Sequence, residues 1–114
     1  MEIASRERAE PFTTLDGSTI RELLAARNQS LAEATLQAGQ ATQRHYHGET
    51  EEIYIVLEGG GVMEVDGDRS RVERGDAVLI PPGAWHQLHA DNTGELRILC
   101  CCAPPYRDED TFFE

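Results

Sequence analysis

Lysine is absent from this sequence of 114 residues, and all 10 basic residues are arginine. Its absence excludes Schiff-base lysine chemistry and the lysine of a phosphate-binding P-loop. The sequence also contains 21 acidic residues, so its formal net charge is −11. A chain of this charge is repelled by phosphate backbones and by anionic lipid surfaces. We therefore expect neither nucleic acid nor a membrane as a partner.

Long apolar runs are also missing. No stretch approaches the roughly 18 consecutive apolar residues of a membrane-spanning helix, and residues 1–10 are too highly charged for a secretion signal. We therefore expect a cytoplasmic protein. Aromatic residues make up only 6% of the chain and apolar residues 39%, so a single domain of this size has a thin core. A metal ion or a partner subunit would add stability.

Cysteine is scarce, and the three that occur, Cys100, Cys101 and Cys102, are consecutive. Adjacent cysteines rarely reach disulfide geometry, and on a strand their side chains alternate between the two faces. No C-x-x-C spacing supports a metal or redox role. We interpret the run as small buried apolar residues in a protein of a reducing compartment.

The sequence is rich in short apolar runs with a period of two, each bounded by Gly, Pro, Asp or Asn. Such runs predict β-strands, and they occupy residues 30–36, 52–57, 62–65, 77–80 and 96–102. Residues 20–26 fit a strand or a helical turn, and the context favours a strand. The spacing predicts an all-β barrel or sandwich. One domain is expected over residues 1–114, with its core at about residues 20–104.

The segments between and beyond these runs are polar. Asp66-Gly67 predicts a β-hairpin, because this pair tolerates the positive φ of a type I′ turn. Residues 66–74 alternate acidic side chains with arginine and predict a solvated surface. The charged ends, residues 1–11 and 106–114, are expected to lie across the surface.

Histidines provide the candidate chemistry. His45 and His47 share a face if they lie on a strand; Glu51 and Glu52 follow, and His86 comes much later, after a Pro-Pro-Gly segment. Three imidazoles and a carboxylate are a donor set suited to a divalent transition metal with open coordination positions. On these residues alone, an exposed histidine pair and a loop histidine explain the pattern equally well.

The flanking glycines and proline add a family resemblance. Gly39-x₅-His45-x-His47-x₄-Glu52-x₆-Gly59, followed by Gly75-x₅-Pro81-x-Gly83-x₂-His86, resembles the two sequence motifs of the cupin superfamily. The resemblance covers residues 39–86 and implies the family's double-stranded β-helix, a jelly-roll barrel. The glycines and the proline also have a mechanical interpretation, because they permit sharp corners where strands change direction in a small barrel.

The resemblance implies one divalent transition metal (Zn, Fe, Mn, Ni or Cu) bound by His45, His47, Glu52 and His86. The family places its acidic ligand three or four residues after the second histidine, so Glu51 is the alternative to Glu52. Glu52 is favoured, because it keeps the six-residue gap to Gly59 and shares a strand face with Tyr54.

Strand alternation predicts what surrounds this metal. Gln43 shares the face of the histidine pair and Tyr54 that of Glu52, so both are candidate catalytic residues that orient a substrate or move a proton. Ala90 stands where the second cupin motif often carries Asn, which makes that wall of the predicted pocket smaller and less polar. Trp85 is expected to pack or lie at the rim, and His89 is expected on the surface, facing away from His86.

A cupin barrel does not specify a reaction, since one fold hosts many functions. The resemblance implies a metal-dependent protein acting on a compact polar small molecule, with isomerase or sugar-acid chemistry first and oxygenation next. The alternatives are a non-catalytic binding module that captures a small molecule through the metal, and a purely structural metal. We also expect a homodimer, because the outward strand faces need cover that a short chain can barely provide.

Overall fold

The computed structural model describes residues 1–114 and consists almost entirely of antiparallel strands. These are β1 (Phe12–Thr13), β2 (Thr19–Ala25), β3 (Ser30–Leu36), β4 (His45–His47), β5 (Glu51–Glu58), β6 (Gly60–Val65), β7 (Asp68–Glu73), β8 (Ala77–Ile80), β9 (His86–Ala90), β10 (Leu96–Ala103) and β11 (Thr111–Phe113). Two single-turn 3₁₀ helices occupy Arg6–Arg8 and Asp108–Asp110. Neither the length nor the apolarity that a membrane crossing requires is found in any helix.

The strands form two sheets that enclose the core. Their orders are β1-β2-β3-β10-β5-β8 and β11-β4-β9-β6-β7. Both sheets contribute to one apolar cluster, with Leu36 and Ile98 from the first and Met63 and Leu88 from the second. The predicted all-β jelly-roll barrel is therefore confirmed.

The period-two runs fold as the sequence predicts. Each of the five predicted strands is present, with ends that differ by at most two residues, and residues 20–26 form most of strand β2. In the predicted hairpin between β6 and β7, Asp66 and Gly67 have φ values of 48° and 87°, as a type I′ turn requires. Along β5, Glu52, Tyr54 and Val56 are buried while the intervening isoleucines are exposed.

The C-terminal segment differs from the prediction. Residues 106–114 were expected across the surface, but Thr111–Phe113 forms strand β11, which pairs with β4. Buried Asp110 accepts hydrogen bonds from the backbone N–H groups of Glu49 and Thr50. Burial raises the pKa of Asp110, but these amide hydrogen bonds outweigh burial and lower it. A three-residue strand in a charged segment has too little periodicity to be predicted.

Four motif glycines lie at corners with a left-handed backbone: Gly39, Gly59, Gly75 and Gly83 have φ values of 77°, 80°, 92° and 81°. Their mechanical interpretation is confirmed. Gly59, between β5 and β6, has a second constraint, because a Cβ there would lie 2.2 Å from the carbonyl oxygen of Glu95. Only glycine fits both the backbone conformation and this close approach.

We predict that Gly59→Ala lowers the free energy of unfolding by about 3 kcal/mol or more, since left-handed strain and backbone overlap add. Gly67→Ala is the matched control: Gly67 also has a positive φ of 87°, but a Cβ there would meet nothing within 4 Å. It should cost only about 1–2 kcal/mol. Urea denaturation measures both variants, and equal losses would contradict the close-approach argument.

Candidate metal centre

Two neighbouring strands bring the three predicted histidines together. His45 and His47 project from β4 into the barrel, and His86 begins β9, where it pairs directly with His45. One ring nitrogen from each histidine lies within 4.8 Å of the others. All three side chains are buried, with at most 4% exposed. The predicted shared face of His45 and His47 is therefore observed, and the exposed-pair interpretation is wrong.

The hydrogen bonds of His45 and His86 fix which nitrogen carries the proton. His45 Nδ1 lies 2.7 Å from the carbonyl oxygen of Gln43, and His86 Nδ1 lies 3.0 Å from that of Ala84. A carbonyl oxygen only accepts, so each Nδ1 carries the proton and donates it. In the neutral ring the lone pair then lies on Nε2, as in metal-binding histidines.

His47 reaches the same state through a side chain that the sequence did not point to. Its Nδ1 lies 3.1 Å from Thr111 Oγ1, and that hydroxyl donates to the carbonyl oxygen of Arg107 at 3.0 Å. A hydroxyl has one proton. Because Thr111 gives its proton to Arg107, it accepts from His47 Nδ1, and in the neutral ring the lone pair then lies on Nε2.

The carboxylate of Glu52 completes the cluster. Its Oε1 lies 3.3 Å from His47 Nε2 and 3.6 Å from His86 Nε2. Burial raises the pKa of Glu52, but hydrogen bonds from the His47 and His86 rings in their protonated form outweigh burial and lower it to about 2. Neutral rings do not donate these hydrogen bonds, and a metal ion would then supply the positive charge that keeps the carboxylate ionised. Glu51 is exposed and points away from the cluster, the orientation that strand alternation predicts.

Cys102 holds the other oxygen of this carboxylate. Strand β10 pairs with β5 so that Cys102 faces Glu52, and its thiol donates to Glu52 Oε2 at 3.2 Å. Burial and the neighbouring carboxylate raise the pKa of Cys102 well above its usual range, so the thiol stays protonated. The predicted burial of Cys102 is confirmed, but the interpretation as a purely apolar residue missed this polar contact.

These residues fit a divalent transition metal. Glu52 Oε1 and His86 Nε2 are buried and have no hydrogen-bond partner within the protein, although buried polar atoms are nearly always paired. Burial, and then the proximity of His86, lower the pKa of His45, which favours the neutral ring that a metal binds. Three imidazole nitrogens and one carboxylate oxygen are a donor set for Zn, Fe, Mn, Ni or Cu.

The cluster opens into a cavity of about 460 Å³, lined by His45, His47, Glu52 and Tyr54 among others. Tyr54 is buried on the Glu52 face, as predicted. The inward orientation expected for Gln43 is not observed: its side chain is exposed, because β4 begins only at His45 and alternation does not extend back to it. Buried Thr42 lines the cavity instead.

Three residues around strand β9 can be placed against their predictions. Ala90 packs in the apolar core rather than along the cavity, so it does not widen the pocket. Trp85 is half-buried with its ring centroid 4.7 Å from that of Tyr46, in agreement with the predicted packing. His89 faces away from His86 as expected, but it is half-buried rather than on the surface.

Comparison with known proteins identifies the family of this barrel. The Cupin domain family model matches residues 32–102. The chain therefore belongs to the cupin family. An uncharacterized protein of Methanocaldococcus jannaschii is 44% identical over 110 residues, which cover 92% of this chain and 88% of that protein.

Solved structures share the fold at low sequence identity. KdgF from Halomonas superposes with a TM-score of 0.85 at 17% identity, over 96% of this chain and 97% of that one. A variant of PAC13 from Streptomyces with uridine superposes with a TM-score of 0.84 at 16% identity, over 100% of this chain and 91% of that one. PAC13 is described as a nucleoside dehydratase.

Proposed function

We propose that this chain binds one divalent transition metal through His45, His47, Glu52 and His86 and acts on a compact polar small molecule. The observation that carries the proposal is the convergence of these groups beside a cavity that His45, His47 and Glu52 line, with Glu52 Oε1 and His86 Nε2 buried without a hydrogen-bond partner 3.6 Å apart. A metal ion at this point would pair both atoms.

The metal would act as a Lewis acid on a carbonyl or hydroxyl oxygen of the substrate. Tyr54 is the proposed catalytic partner. Its ring centroid lies 6.2 Å from that of His86, and burial followed by the charge of Glu52 raises the pKa of Tyr54 well above its usual range. The phenol therefore keeps its proton at neutral pH and can donate a hydrogen bond that orients the substrate.

Isomerase or related sugar chemistry is the reaction class we propose first, with oxygenation next. The structural similarity to a nucleoside dehydratase that binds uridine supports a compact polar ligand. A non-catalytic binding module is the second candidate. It is favoured because the buried lining residues other than the proposed ligands offer hydroxyl groups, those of Ser18, Thr42 and Tyr54, but no further carboxylate.

Removal of Glu52 tests the metal site. We predict that Glu52→Ala lowers metal affinity by more than about 100-fold, because even the loss of a group that only orients a metal ligand costs about 10–100-fold. Glu51→Ala, which removes an equal charge from the exposed face of the same strand, should change it little. Elemental analysis of gently purified protein and the rise in melting temperature on metal addition are the measurements. A wild-type protein that neither contains nor gains a metal would refute the proposal.

Thr111 tests the same site from the C-terminal strand. We predict that Thr111→Val weakens metal binding by about tenfold, because the Nδ1 proton of His47 loses its acceptor and the ring is no longer fixed with Nε2 free. Thr111→Ser keeps the hydroxyl and should retain wild-type affinity. Competition with a chelator measures both, and equal affinities for Val and Ser would show that the hydroxyl has no role.

We further propose that the chain is a homodimer. On the outer face of the larger sheet, one row of apolar side chains crosses five strands: Leu24, Leu31, Cys101, Ile53 and Leu79. Leu79 is 57% and Ile53 46% exposed. In a chain with a net charge of −11, this uncharged row is where a second copy would meet the least repulsion.

Leu79→Glu should convert the dimer to a monomer, because it places a charge in that row at its β8 end, where the side chain is 57% exposed. Ile3→Glu changes another exposed apolar residue, 71% exposed in the N-terminal segment, and should leave the dimer intact. Sedimentation analysis at micromolar concentration measures both. A wild-type mass near 12.7 kDa would contradict the dimer.

A further inference from the structure

Three carboxylates line the cavity at residues that are exposed or half-buried, and we call this part of the lining its mouth. Asp16 comes from the turn between β1 and β2, Glu22 from β2, and Asp108 from the segment that follows β10. Arg107 is the only basic residue among the lining side chains. The inner end of the cavity is formed by buried lining residues that include His45, His47 and Glu52, and His86 lies directly beside Glu52. The two ends of the cavity therefore differ in chemistry, and the ligand has to suit both.

Arg107 does not balance the charge of the mouth. Its side chain is 52% exposed and is paired with the carboxylate of Glu49, with 3.3 Å between Arg107 Nη2 and Glu49 Oε2. That exposed pair is close to neutral, so three carboxylates remain uncompensated around the entrance. An anion approaching the cavity meets repulsion that water and salt only partly screen.

The mouth offers oxygen acceptors in place of cations. Asp16 Oδ1 accepts both the N–H and the hydroxyl of Ser18, at 2.9 and 2.6 Å, so its Oδ2 is free to accept from a ligand. The backbone carbonyl oxygen of Asp16 accepts the N–H of Gln43 at 2.8 Å, two residues from His45, so Asp16 lies close to the inner end. Tyr106 donates its hydroxyl proton to Asp108, so its own oxygen is likewise left as an acceptor.

We propose, on the basis of the metal site proposed above, that the ligand is an uncharged polyhydroxylated molecule of sugar size, and that Asp16, Glu22 and Asp108 discriminate against sugar acids and sugar phosphates. The inner end is electropositive once a divalent metal is bound and repels a cation, while the mouth repels an anion. Hydroxyl groups satisfy both ends, because their oxygens coordinate a metal and their protons are donated to carboxylates. This charge distribution disfavours the sugar-acid chemistry that the family resemblance implies.

Matched pairs of ligands test the proposal on Zn²⁺-loaded protein whose metal content has been measured first. The probes are D-galactose with D-galacturonate and D-ribose with D-ribose 5-phosphate, and binding is followed by saturation-transfer NMR and calorimetry. A carboxylate or phosphate group ligates zinc well, so the bound zinc ion by itself favours the anionic member of each pair. A preference for the neutral member therefore has to come from the charge of the mouth. We expect the neutral sugar to bind about tenfold more tightly than its anionic partner at low salt, with the ratio falling as salt is added.

Variants assign this discrimination to the mouth. Asp16→Asn retains the acceptor used by Ser18, and both it and Glu22→Gln should improve the affinity of galacturonate several-fold relative to galactose. Glu51→Gln removes the same charge from the outward face of β5 and should leave the ratio unchanged. Tighter binding of the anionic member by wild-type protein, an unchanged ratio in both mouth variants, or no binding of any neutral probe at millimolar concentration would overturn the inference. Failure of the metal site appears separately, as absence of zinc from the protein before any sugar is added.

Discussion

Polar atoms buried without partners are the constraint around which this barrel is organised. An apolar interior excludes water, so every imidazole nitrogen and carboxylate oxygen inside it requires a hydrogen bond or a metal ion. Most of the polar atoms at the inner end are satisfied by backbone carbonyls, by Thr111 and by Cys102. The atoms left over, Glu52 Oε1 and His86 Nε2, face the same point. The protein thus fixes the orientation of these nitrogen and oxygen atoms, and a bound ligand would supply the contacts that they lack.

Local sequence was sufficient to predict the parts of the site that depend on strand alternation. His45 and His47 share a face because they are two residues apart, and the same rule distinguishes buried Glu52 from exposed Glu51. The motif glycines were predictable for a similar reason, since a left-handed corner restricts the residue type at a single position. The rule fails outside a regular strand. Strand β4 begins only at His45, so the prediction that Gln43 points into the barrel was wrong.

Contacts set by pairing between distant segments were beyond local inference. Thr111 meets His47 across 64 positions of the chain, and Cys102 meets Glu52 across 50. Both depend on the register between strands, which a single sequence does not reveal. Asp16 enters the cavity through a turn rather than a strand, so periodicity carried no information about it. The contacts of Thr111 and Cys102 with the proposed ligands, and the residues of the cavity entrance, are therefore known only from the folded structure, although the four proposed ligands were predictable.

The outward side of the ligand-bearing strands carries an aromatic pair. Tyr46 stands between His45 and His47 in sequence, Trp85 directly precedes His86, and the two rings contact each other at a centroid distance of 4.7 Å. Strand geometry thus places this pair back to back with the three histidines. Trp85 is the only tryptophan of the chain, so its fluorescence comes from a single known position. The fluorescence of Trp85 therefore reports on the strands that bear the histidines. A movement of these strands at the site would also move Trp85 on their opposite face.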